Sequence, residues 1–217
     1  QTFVVGYLRN LCGERTNPPA MEEKSRTAPT LVVKAPEKER TPPVKSLPVP
    51  PREASAPLLA ERYRVHGDGT ATDIRTGLRW MRFSLGQAWK SEHCLGNAQP
   101  FTWQEALNAA RALNRQGGYA GYRDWRVPKK EELLTLVYCS SGRPKIWNDT
   151  GEPCEGHYQR PTIHPTAFPD TPDSWYWTAS TAANPPDSAW LVLFTYGCAR
   201  IYPKALNLRV RLVRGGS

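Results

Sequence analysis

Ten of the chain's 21 prolines fall between Pro18 and Pro57. Proline lacks a backbone N–H and holds φ near about −65°, so it neither donates to a β-ladder nor sits inside a helix. A stretch such as TPPVKSLPVPPREASAP therefore reads as an extended spacer with little to bury. The chain divides near residue 60. Residues 1–12, QTFVVGYLRNLC, read as a short apolar segment that contacts an upstream domain or a partner chain. Residues 13–60 read as a Pro-rich linker, and residues 61–217 as the folded unit. All eight tryptophans and eight of the nine tyrosines lie in that last part, which is long enough to bury a core.

The folded part opens with RYRVHGDGTATDIRTGLRWMRF. Turns at Gly67–Gly69 and at Thr76-Gly77 separate short alternating strands, which makes a meander. Residues 84–100 read as loop. Helix follows in FTWQEALNAARALNRQGG, where Thr102 and Glu105 have capping-box spacing. Its apolar face is Trp103, Ala106, Leu107, Ala110 and Leu113, and Gly117-Gly118 stops it. A second helix begins at Pro128 and runs through KKEELLTLVYC, with Leu133, Leu136 and Val137 facing inward. Residues 140–174 form a long polar loop, which in a compact domain is either functional or pinned. The strands WYWTAST, AWLVLF, ARIY and LRVRLVR close the chain. In the last, Val210 and Leu212 are expected to face the core and the arginines to face out. Strands, two helices, then antiparallel strands is an α+β plan of C-type-lectin-like type.

Charge and motifs exclude several functions. The net charge is +9, but the basic residues are scattered, which argues against nucleic acid. No apolar run approaches the length that spans a bilayer, about 18 residues. Trp147-Asn148-Asp149 matches a lectin calcium motif but sits before the final strands, so no metal and no cofactor are expected. His66, His93, His157 and His164 lie in separate stretches without ligand spacing. Asp124 and Arg126 flank Trp125 and read as a structural ion pair. Of the five cysteines, Cys139 and Cys154 bracket a polar loop with disulfide spacing. Cys12, Cys94 and Cys198 have no evident mates. No catalytic motif is present, and the chain reads as non-enzymatic.

The segments GLRWMRFSLGQAW, FTWQEALNAARALN, GGYAGYRDWRVPKKEELLTLV, PTIHPTAFPDTPDSWYWTAS and SAWLVLFTYG…K…VRLVR resemble the Lcl C-terminal domain family, the C-terminal domains of bacterial collagen-like adhesins. The likeness runs from about Arg62 to Arg214. It implies a C-type-lectin-like binding module of a bacterial cell-surface, secreted or periplasmic protein, or a cytoplasmic one behind an intracellular domain. Two departures stand out. Phe83 occupies a position where many members carry Cys, and Lys129 one where a capping Ser, Thr or Asn is common.

A narrower resemblance concerns the end of the chain. SAWLVLFTYGCARIYPKALNLRVRLVR is similar to the variable regions of proteins rewritten by diversity-generating retroelements, in which adenine positions of the gene are randomised. It implies a constant framework of Trp190, Val192, Phe194, Gly197, Lys204, Val210, Arg211 and Val213. The interchangeable, ligand-contacting positions are then Leu191, Leu193, Thr195, Tyr196, Cys198, Arg200, Tyr202, Pro203, Ala205, Leu206 and Asn207. An apolar Leu193 and an unpaired Cys198 on a loop fit that pattern. The ligand is a protein or a glycan. Two alternatives remain open: a fixed adhesin-type module for acidic or sulfated glycans, and an enzyme of the formylglycine-generating type working through Cys198.

Overall fold

The computed structural model describes residues 58–216. The expectations for residues 1–12 and for most of the Pro-rich stretch lie outside them. A short strand β1 at Leu58–Leu59 already stands within the stretch read as linker. It pairs with β2, Tyr63–Val65, which continues through β3, Thr70–Asp73, into β4, Arg79–Met81. This is the expected meander. Its first turn needs glycine at Gly69, which has φ +80° and where a Cβ would stand 2.3 Å from the Trp89 ring.

The chain's end returns to this sheet. Strand β10, Val213–Arg214, pairs antiparallel with β4, Val213 opposite Trp80, giving the order β1-β2-β3-β4-β10. Residues 84–100 are not all loop: β5, Ala88–Lys90, and β6, His93–Leu95, form a small ribbon. The second sheet is β7-β8-β9, with β7 at Trp175–Thr181, β8 at Ser188–Leu193 and β9 at Cys198–Pro203.

Helix α1 spans Trp103–Arg115 and begins with the expected capping box. Glu105 N–H donates to Thr102 Oγ1, and Thr102 N–H donates to the Glu105 carboxylate at 2.8 Å. The helix ends where Gly118 N–H bonds Leu113 O. A Cβ on Gly118 would lie 1.8 Å from Tyr122 O, so only glycine fits. Helix α2 is far shorter than expected, Lys130–Leu134. After it, Thr135, Leu136 and Val137 each bond three residues back and tighten the chain. Leu133, Leu136 and Val137 still point inward, each fully buried. Lys129 supplies no side-chain cap. Glu132 compensates by accepting from Lys129 N–H at 2.7 Å, and Ser180 of β7 accepts from Lys130 N–H at 3.0 Å.

Two apolar clusters make up the core. One gathers Tyr63, Trp80, Leu133, Val137, Ile163, Phe168, Tyr176, Val192, Phe194 and Val213. The other gathers Met81, Phe83, Ala106, Ala110, Trp125, Val127, Trp177, Leu191, Leu193, Val210 and Leu212. Strand β8 lies between them. Its successive side chains alternate between clusters, which explains why WLVLF is apolar without interruption.

Two expectations about charge fail. Arg211 does not face out: it is 0 % exposed. Its guanidinium donates to Met81 O at 2.9 Å and to Thr171 Oγ1 at 2.7 Å, and stacks on Phe168. Extended backbone at Val210–Val213 runs between the two packed layers, and all four of its side chains are buried. Burial lowers the Arg211 pKa from its ordinary value. Asp124 and Arg126 do not pair with each other. Asp124 bonds Arg214 at 2.8 Å, and Arg126 bonds Glu132 through two contacts of 2.7 Å. Residues flanking one that is buried, here Trp125, both face outward but diverge to different neighbours.

Candidate functional site

The β8–β9 hairpin carries most of the positions that the retroelement resemblance implies are interchangeable, and its register sorts them. Leu193 stands opposite Cys198, Leu191 opposite Arg200, and Ala189 opposite Tyr202. Directly opposed residues share a face, so Leu191, Leu193, Cys198, Arg200 and Tyr202 lie on one side of the sheet. The framework residues Trp190, Val192 and Phe194 lie on the other, in or against the first cluster.

Burial corrects the contact set. Leu191, Leu193 and Cys198 are 0 %, 1 % and 0 % exposed and belong to the second cluster. They cannot touch a ligand. The rings of Trp175 and Tyr202, on the strands flanking β8, meet at 5.1 Å on this face. Trp177 is fully buried and Trp175 half-buried. Cys198 is neither on a loop nor unpaired, being disulfide-bonded in β9. A sulfur in a disulfide is not a thiolate nucleophile, so the enzyme-type reading loses the group it rested on. Thr195, Tyr196, Arg200, Tyr202 and Leu206 are half-buried, and Pro203, Ala205 and Asn207 are exposed.

The hairpin tip is built against the long loop. Cys139 and Cys154 form a disulfide with their Cα atoms 5.4 Å apart, as their spacing suggested. Gly197, at φ +76°, presses on this bridge: a Cβ there would stand 2.8 Å from Cys154 Sγ. Cys154 N–H donates to Tyr196 O at 2.8 Å, and Thr162 donates to Phe194 O through both N–H and hydroxyl, at 2.6 and 2.7 Å. Ala199 N–H donates to Gly151 O at 3.2 Å. The bridge thus holds the loop as a ledge beside the tip.

That ledge adds side chains the sequence did not single out. Arg160 is exposed, with its guanidinium 5.0 Å from the Tyr196 ring centre and 5.7 Å from that of Tyr158. The only sequence signal was the length and polarity of the loop. Arg200 is half-buried; burial lowers its pKa, and the Glu152 carboxylate opposes that shift. On the other side, Lys204 fixes the turn after β9. Its N–H donates to Asp187 O at 2.9 Å, its ammonium to Pro186 O at 2.6 Å, and it stands over the Trp103 ring at 4.7 Å. These contacts give Lys204 a structural role in that turn.

The rejected chemistries have structural occupations. Asn148 is fully buried, donates to Glu152 O at 2.7 Å and accepts from Thr150 Oγ1 at 2.6 Å. Asp149 pairs with Lys145. Among the described residues no group of three or more His, Cys, Asp or Glu side chains gathers as a metal site. Cys94 is a free thiol in β6, donating to Pro169 O at 3.3 Å, and burial raises its pKa. Among the described residues no helix is long and apolar enough to cross a membrane.

Residues 69–214 match the Lcl C-terminal domain. The chain belongs to the Lcl C-terminal domain family. No curated protein matches the chain. Membership points to an adhesin-like or ligand-binding module, and the Cys139–Cys154 disulfide is compatible with a secreted or surface protein.

Proposed function

We propose that this chain is a non-enzymatic ligand-recognition protein with a C-type-lectin-like scaffold, and that it is the variable protein of a diversity-generating retroelement. The observation that carries the reading is the sorting of side chains on β8 and β9. Trp190, Val192 and Phe194 face one layer; the interchangeable residues face the other or crowd the tip and the following turn. Within that second layer Leu191, Leu193 and Cys198 are fixed by the core they fill, so rewriting without loss of fold is left to the tip, Arg200, Tyr202 and the following turn.

The contact surface is then the hairpin tip at Thr195 and Tyr196, the half-buried Arg200 and Tyr202, and the turn at Pro203, Ala205, Leu206 and Asn207. Tyr and Arg bury area with little loss of side-chain freedom and keep polar ends, which suits recognition of a protein or a glycan. The sheet and the disulfide-held ledge keep that surface rigid, which limits the ordering cost of binding. Sequencing the DNA beside the gene tests the retroelement reading. A reverse-transcriptase gene and a near-copy of the codons for residues 190–214, altered at adenines, are expected. Their absence overturns it.

A further inference from the structure

Arg160 is set apart from the paired arginines of this domain. Arg62, Arg79, Arg126 and Arg214 each hold a carboxylate, those of Asp73, Asp68, Glu132 and Asp124. Arg160 makes no ion pair among the described residues, yet it is well positioned. Its guanidinium rests near two tyrosine rings, at 5.0 and 5.7 Å. The backbone on both sides is tied down: Gln159 N–H donates to Ser140 Oγ at 2.7 Å, and Thr162 N–H to Phe194 O at 2.6 Å. A stacked guanidinium keeps its in-plane N–H donors free, which is the geometry that grips a carboxylate with two parallel hydrogen bonds.

We infer that Arg160 is the specificity-determining contact for a single carboxylate presented by a protein ligand. This rests on reading the β8–β9 tip as the contact surface. The local charge favours one carboxylate over a polyanion. The exposed charges of the ledge balance, Arg143, Lys145 and Arg160 against Asp149, Glu152 and Glu155, so it offers no basic tract to a polyanion. The neighbours Tyr158 and Tyr196 supply the aromatic flank usual around a protein-binding arginine. Arg160 and Tyr158 lie outside the stretch read as rewritten and Tyr196 lies within it, so the arginine is constant while the nearer of its two rings is open to change.

A random peptide library displayed on phage, panned on the full chain, tests this. Enriched peptides are expected to share an Asp or Glu at one position. Their binding should fall at least tenfold on Arg160→Ala and nearly as far on Arg160→Lys, which keeps the charge but loses the planar fork. Replacing the peptide's acid by its amide should cost as much on the natural chain and nothing further on Arg160→Ala. An unchanged melting curve for Arg160→Ala excludes misfolding. Peptides without a shared acid, or no enrichment, overturn the inference. So does a heparin hexasaccharide that binds through Arg160 in their place. If Thr195→Ala with Asn207→Ala weakens binding and Arg160→Ala does not, this inference falls and the contact surface stands. If neither matters, both fall.

Discussion

Trp175 and Tyr202 bring their rings to 5.1 Å of each other although their strands, β7 and β9, are separated by β8. Both side chains lie on the face that carries Leu191, so the pair bridges above the middle strand and helps exclude water from it. Removing one ring takes away the pair and uncovers the leucine. An aromatic pair is worth about 0.5 to 1.5 kcal/mol beyond its buried area. Tyr202→Ala is therefore expected to destabilise the domain by about 2 kcal/mol in urea unfolding, and a variant as stable as the natural chain contradicts this packing.

Burial separates two kinds of position among those proposed as interchangeable. Leu193 is in the core and Asn207 is on the surface. Leu193→Ala is expected to cost about 2 to 5 kcal/mol, the range for a cavity in a packed core. Asn207→Ala is expected to stay within about 0.5 kcal/mol. Denaturation midpoints for the two variants check the distinction.

The disulfide closes the loop against the hairpin tip. For a loop of this size the chain-entropy account gives about 3 kcal/mol. Replacing Cys139 and Cys154 together by serine is expected to destabilise the domain by that order. It should also release the Tyr196 and Phe194 carbonyls from their partners on the ledge, seen as faster amide exchange at position 154 and at Thr162. Slow exchange at both amides in the double variant contradicts the proposed role.

Glu132 links Arg126, the α2 start and the C-terminal strand. Burial raises its carboxyl, but hydrogen bonds from Arg126 and from Lys129 N–H outweigh that and hold it below the usual value. A carboxyl lowered by folding contributes stability that is present above its unfolded pKa, about 4.3. That stability is lost as pH falls through the folded value. Stability is expected to drop below about pH 4, with a shallower drop in Glu132→Gln. At neutral pH the same change should cost about 2 to 3 kcal/mol, the worth of hydrogen bonds to a charged group. Unfolding curves at pH 7 and pH 3 measure both effects.

Local signals were readable where local rules decide. The capping box at Thr102 and Glu105, the stop at Gly117-Gly118, the meander turns and the Cys139–Cys154 bridge all follow from short-range chemistry. The misses come from tertiary context. Helix α2 stops at Leu134 because the next residues tighten and then bridge to Ile163 and Trp147. Arg211 looked like a surface residue by alternation, but two core layers enclose it. Leu193 and Cys198 looked out of place on a loop, whereas the register of β8 and β9 puts them inside. Arg160 carried no motif; its role depends on a ring, Tyr196, that lies 36 positions along the chain.

The most direct measurement is deep sequencing of the 3′ end of the gene across many clones of one natural population. The account predicts that codon changes concentrate at the eight surface positions from Thr195 to Asn207. It also predicts that the codons for Trp190, Val192, Phe194, Gly197 and Lys204 stay constant. A uniform sequence, or changes spread evenly over framework and surface, contradicts it.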